Sequence, residues 1–146
     1  EAVGERHEYD PSYATVQGAY TAAFNTYIRT ELNFKSDLSY EILTRNVQPW
    51  DYGQYENQYV NVSDKLRLAM SRNPYLKVFV ANGYYDLATP FYATEYTFDH
   101  LSLDPALQDN VSMGYYKAGH MMYVDRPSLK KLKSDLTRFV EETLSS

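Results

Sequence analysis

The feature that most constrains this chain is a pair of short apolar runs, each followed by an amphipathic segment with a proline at its head. Leu76-Lys-Val-Phe-Val-Ala-Asn82 is β-branched, aromatic and almost continuously apolar, and it stops at Gly83. Val111-Ser-Met-Gly-Tyr-Tyr116 repeats the pattern. Runs of this length predict strands, the first buried on both faces of a parallel sheet. Between them, Thr89-Pro90 reads as a cap followed by a helix with Tyr92, Tyr96 and either Phe98 or Leu101 inward, and residues 103–110 read as a polar turn. After the second run, Lys117-Ala-Gly-His120 predicts a tight turn and Arg126-Pro127 the entrance to a last helix. Leu129, Leu132, Leu136, Phe139, Val140 and Leu144 line its apolar face. The order β-α-β-α implies an α/β fold with right-handed crossovers.

The first part of the chain is less regular. Asp10-Pro11 predicts a helix start, and Tyr13, Val16, Tyr20, Ala23, Phe24, Tyr27 and Ile28 share one face of a helix ending near Leu32. Beyond it, residues 40–44 suit a short strand, and Pro49-Trp-Asp-Tyr-Gly53 suits a turn. Ser63 reads as the N-cap of a helix that buries Leu66, Ala69 and Met70 and stops at Asn73-Pro74. Residues 1–60 therefore form a helical, loop-rich segment, and residues 61–146 hold the strands and their helices.

Composition removes several function classes. Nineteen acidic against 14 basic residues give a net charge of -5, which disfavours nucleic acid and anionic membranes as partners. No window approaches a membrane span. The absence of Cys excludes disulfides, a thiol nucleophile and a Cys-bound zinc while leaving the compartment open. His7, His100 and His120 lack metal-ligand spacing, no Gly-rich phosphate loop is present, and no cofactor is implied. Asp99-His100 reads as a helix cap, and Asn61-Val-Ser63 and Asn110-Val-Ser112 match the glycosylation pattern. Sixteen tyrosines, with a mean hydropathy of -0.56, predict a half-polar interior or a large partly buried surface.

In open parallel sheets, reactive groups gather at the carboxyl ends of the strands. Asp86 follows the first run and His120 the second. If the strands are neighbours, both side chains emerge at one edge, and a carboxylate accepting the Nδ1 proton leaves Nε2 as a base. Each residue also has a plainer reading: Asp86 as a turn or cap acceptor, His120 as a packed or hydrogen-bonded ring. Their matching positions, and the Gly before the His, favour the paired reading.

Asn73-Pro-Tyr-Leu-Lys-Val-Phe-Val-Ala-Asn-Gly-Tyr-Tyr-Asp-Leu-Ala-Thr-Pro90 and Tyr115-Tyr-Lys-Ala-Gly-His-Met-Met-Tyr123 together resemble the carboxyl-terminal third of a bacterial serine carboxypeptidase, an α/β-hydrolase peptidase. The resemblance runs from about Ser12 to the end. It implies that Asp86 is the triad acid, His120 the triad base, and Met121 a border of the pocket for the leaving residue. It also implies that residues 1–60 end an inserted cap, that the substrate is a peptide, and that the parent enzyme is exported. The chain departs from the family in one large respect: no two of its six glycines flank a Ser as Gly-x-Ser-x-Gly. The expectation is therefore a βαβα piece of an α/β-hydrolase, inactive alone and completed by an amino-terminal part. The free edge of its first strand would promote self-association. A noncatalytic interaction module, or an esterase or acyltransferase on the same scaffold, remains the alternative.

Overall fold

The computed structural model describes residues 11–38, 40 and 46–145. The chain divides into two compact units, Glu1–Glu56 and Asn57–Ser146. In the first, α1 spans Pro11–Thr30 and a 3-10 turn spans Gly53–Tyr55. Pro11 suits the first helical position because its missing N–H would have no intrahelical partner there. The expected cap, Asp10, and residues 41–44 of the expected strand lie outside the described residues. The helix stops two residues before Leu32. Its last turn widens, with the Leu32 and Phe34 amides donating to the Tyr27 and Ile28 carbonyls, while Asn33 takes the left-handed conformation at φ 49°. Of the expected inward face, Val16 is buried, whereas Tyr20, Phe24 and Tyr27 are exposed. Phe24 does meet Tyr40, ring centroids 4.5 Å apart.

In the second unit the elements are α2 (Ser63–Arg72), β1 (Val78–Gly83), α3 (Phe91–Asp99), α4 (Pro105–Gln108), β2 (Val111–Tyr116), a 3-10 turn (Met122–Val124) and α5 (Arg126–Leu144). β1 and β2 pair in parallel, from Val78 opposite Val111 to Gly83 opposite Tyr116. The chain is thus a mixed α/β protein, with five helices and a two-stranded parallel sheet among the described residues. Successive strand residues point to opposite faces, and two tyrosines show which helix takes which face. The Tyr115 hydroxyl donates to Glu95 of α3 at 2.6 Å, and the Tyr116 hydroxyl to Asp135 of α5 at 3.0 Å. Phe79 joins the α5 side, its ring 5.6 Å from Phe139. Gly114 lies between these rings. A Cβ there would sit 2.5 Å from the Tyr116 hydroxyl and 2.9 Å from Phe79.

Several local expectations change. β1 is not buried on both faces: Val78, Phe79 and Val80 are half-buried and Ala81 is exposed. The reason is that β1 has a strand on one side only. Val78 N donates to Asn110 O and Tyr84 N to Tyr116 O, so even-numbered amides face β2 while those of Phe79 and Ala81 face an edge unpaired among the described residues. The inward stripe of α3 is Phe91, Thr94, Glu95 and Phe98, leaving Tyr92 and Tyr96 exposed. Leu101 is buried just beyond the helix. Residues 103–110 are not simply a turn, because Asp104 caps α4 through the Ala106 amide and Pro105 starts it. Ser63 is the first residue of α2 rather than its cap, and its amide and hydroxyl both donate to Asn61 Oδ1. Along α5, Leu132 and Phe139 are half-buried, while Leu129, Leu136, Val140 and Leu144 stay exposed. No helix among the described residues is long and apolar enough to cross a membrane.

Candidate active site

After β1 the chain passes to α3 on one face of the sheet, and after β2 it passes to α5 on the other. The two connections thus leave the carboxyl ends of the strands toward opposite faces, the end at which ligands gather in parallel α/β sheets. Backbone hydrogen bonds continue beyond the strands and join the two loops. The Tyr84 amide donates to the Tyr116 carbonyl at 2.9 Å and the Tyr85 amide to the Ala118 carbonyl at 3.0 Å. Gly83 makes this approach possible. A Cβ on it would lie 2.5 Å from the Gly119 carbonyl oxygen and 2.7 Å from that of Ala118, contacts that backbone atoms cannot yield without moving. Gly119, beside the histidine, is not required in this way, since its Cβ would meet only the Tyr85 carbonyl at 3.8 Å.

Asp86 is almost enclosed, its side chain 4% exposed, and both oxygens are used. Oδ1 accepts from the Ala88 amide at 2.8 Å and the Thr89 amide at 2.9 Å. Oδ2 accepts from the Thr89 hydroxyl at 2.7 Å and from His120 Nδ1 at 2.9 Å. The turn-acceptor reading and the histidine-partner reading therefore describe two oxygens of one carboxylate. Burial alone would raise its pKa. The hydroxyl and amide of Thr89, then His120 and the Ala88 amide, outweigh burial and hold the carboxyl far below the usual carboxylate range. An ionised Asp86 accepts hydrogen bonds only, so Nδ1 of His120 carries the proton of that contact. Nε2 is then the nitrogen with an accepting lone pair, on a side chain that is 63% exposed. The arrangement can take a proton from a neighbouring hydroxyl or water and stabilise the resulting imidazolium.

Met121 follows His120 and is half-buried at the entrance to the 3-10 turn Met122–Val124. Among the described residues, surface clefts lie elsewhere, one of about 510 Å³ between residues 60–66 and 96–101. No group of three or more His, Asp or Glu able to hold a metal occurs among the described residues. His100 does cap α3, its Nδ1 2.7 Å from the Tyr96 carbonyl and its ring stacked on Tyr96. Asn110 is buried, with its side chain bonded to Lys77 and to the Pro74 carbonyl.

Sequence reasoning missed Thr89 and Gly83. Thr89 looked like the cap of α3, but α3 begins after Pro90 with no side-chain cap, and its hydroxyl serves Asp86 instead. Spacing carries a signal for the amides only: an Asp two and three residues before Ala88 and Thr89 suits a side-chain turn. Gly83, at the end of β1, marked a close backbone approach. Tyr115 and Glu95 also pair, and hydrogen bonding to Glu95, followed by burial, leaves the Tyr115 phenol pushed up to about 12. Comparison with protein-family models, curated proteins and solved structures gave no match.

Proposed function

We propose that this chain is the acid/base segment of a serine carboxypeptidase of the α/β-hydrolase type. Asp86 is the triad acid, His120 the base and Met121 a wall of the pocket for the leaving residue. The observation that carries the reading is the 2.9 Å contact between His120 Nδ1 and Asp86 Oδ2, at the carboxyl ends of adjacent parallel strands. It is supported by the residues around both positions and by the order Asp then His on successive βα units. No Ser of this chain is flanked as Gly-x-Ser-x-Gly, so this reading takes the seryl nucleophile from another segment. The edge of β1 that is unpaired among the described residues, with Ala81 exposed in mid-strand, suits a sheet that continues past β1.

In this mechanism Nε2 of His120 removes the seryl proton as the oxygen attacks the carbonyl of the last peptide bond. Asp86 stays ionised and stabilises the imidazolium. The imidazolium protonates the leaving amine, the carboxyl-terminal residue departs, and an acyl-enzyme remains. Water, deprotonated by Nε2, then releases the shortened peptide and restores the serine.

The test supplies an upstream segment carrying a Gly-x-Ser-x-Gly elbow, in the same or a second chain, and measures release of a free amino acid from an amino-blocked dipeptide. The 146-residue chain alone should be inactive and the completed protein active, with His120→Ala lowering the rate by about 10³ to 10⁴. A completed protein whose activity is unaltered by His120→Ala would overturn the assignment.

A further inference from the structure

We infer that Thr89 is a positioning residue that selects the Nδ1-protonated tautomer of His120 by fixing the orientation of the Asp86 carboxylate. This inference rests on reading Asp86 and His120 as the proton-handling pair. Thr89 gives the carboxylate two of its four hydrogen bonds, one to each oxygen. Its hydroxyl reaches the same Oδ2 that His120 uses, and Oγ1 also lies 3.4 Å from His120 Nδ1. Donating its proton to Oδ2, the hydroxyl presents a lone pair toward the Nδ1 proton, so the histidine faces two acceptors on one side. Without the hydroxyl, Oδ2 would keep only the bond from His120, whose ring is largely in solvent.

Two local constraints hold that hydroxyl in place. Threonine is branched at Cβ and restricted at χ1. Residue 89 also precedes Pro90, which confines its backbone to extended conformations. Neither constraint depends on distant packing, so the orienting element is built into the loop itself.

The experiment is ¹⁵N NMR of the histidine side chains in the full 146-residue chain, at about pH 9. It reads the ratio of Nδ1–H to Nε2–H tautomers at His120. Thr89→Val keeps the shape and removes the hydroxyl, and it should lower that ratio by about fivefold. Thr89→Ser restores a hydroxyl and should recover most of the ratio, a rescue that a purely packing role for the side chain would not produce. An unchanged ratio in Thr89→Val overturns the inference, as does a Thr89→Ser protein that behaves like Thr89→Val. Asp86→Asn separates this inference from the reading beneath it. If Asp86→Asn collapses the ratio while Thr89→Val does not, only the role of Thr89 falls. If Asp86→Asn leaves the ratio unchanged, the pair and the inference both fall.

Discussion

Asp86 and His120 occupy the same station on successive βα units, yet the chain holds them in opposite ways. Asp86 is locked from its own loop: three of its four donors come from Ala88 and Thr89, and its side chain is 4% exposed. His120 is 63% exposed and is held through the other loop, by Asp86 itself and by the backbone contact between residues 83–85 and 116–119. Asp86 is thus a fixed reference and His120 an exposed group docked onto it. A base that must meet a nucleophile and a leaving group needs access, whereas its partner needs only a constant orientation.

Substitutions that separate loop closure, acid and base would test this contrast. Gly83→Ala should have the largest effect, destabilising by about 3 kcal/mol in chemical denaturation, because its Cβ would strike two backbone carbonyls. A loss below about 1 kcal/mol would mean that the two loops are not tightly apposed. Asp86→Asn should cost about 2 kcal/mol at neutral pH, since two amides and a hydroxyl lose a charged acceptor. The folded pKa of Asp86 is depressed, so its stabilisation is complete above about pH 4 and disappears as the pH falls through the lower folded value. The gap between parent and Asp86→Asn should therefore narrow in strong acid, and a gap that is constant with pH would contradict an ionised Asp86. His120→Ala should cost only about 0.5 kcal/mol, because it removes one exposed donor of four. A cost equal to that of Asp86→Asn would mean that His120 is held as firmly as Asp86. Gly119→Ala should be smallest, within about 0.5 kcal/mol of the parent, since the new methyl meets only one carbonyl at ordinary contact distance.

What could be read in advance follows from how local each signal is. Val111–Tyr116 forms the predicted strand, because its ends are set by its own apolar run. The start of α5 was equally local, with Asp125 accepting from the Ser128 amide and Pro127 in the first turn. On α3 the expected Phe98 does turn inward, but Glu95 rather than Tyr92 or Tyr96 joins it, because Tyr115 on the next strand supplies its partner. The burial of β1 was overestimated because apolar character records what a strand can bury, not whether a neighbour is present on its other side. Loop position and the Gly before the histidine suggest the Asp86–His120 pairing, but the role of Thr89 depends on a hydroxyl choosing a carboxylate over a helix end, which spacing does not decide.

The two tyrosines of β2 raise a question of register. Each donates to a carboxylate, Tyr115 on one face and Tyr116 on the other. A slip by one residue would exchange the faces of every side chain, yet it would still bring a tyrosine to each acid-bearing side of the sheet. Hydrogen-bond chemistry therefore discriminates poorly between the two alignments. Gly114 discriminates better, because a Cβ at its site would lie 2.9 Å from the Phe79 ring on β1, which the side chain of Met113 or Tyr115 delivered by a slip would have to displace. By penalising the wrong alignment, this glycine helps set the position along the strand at which His120 leaves the sheet.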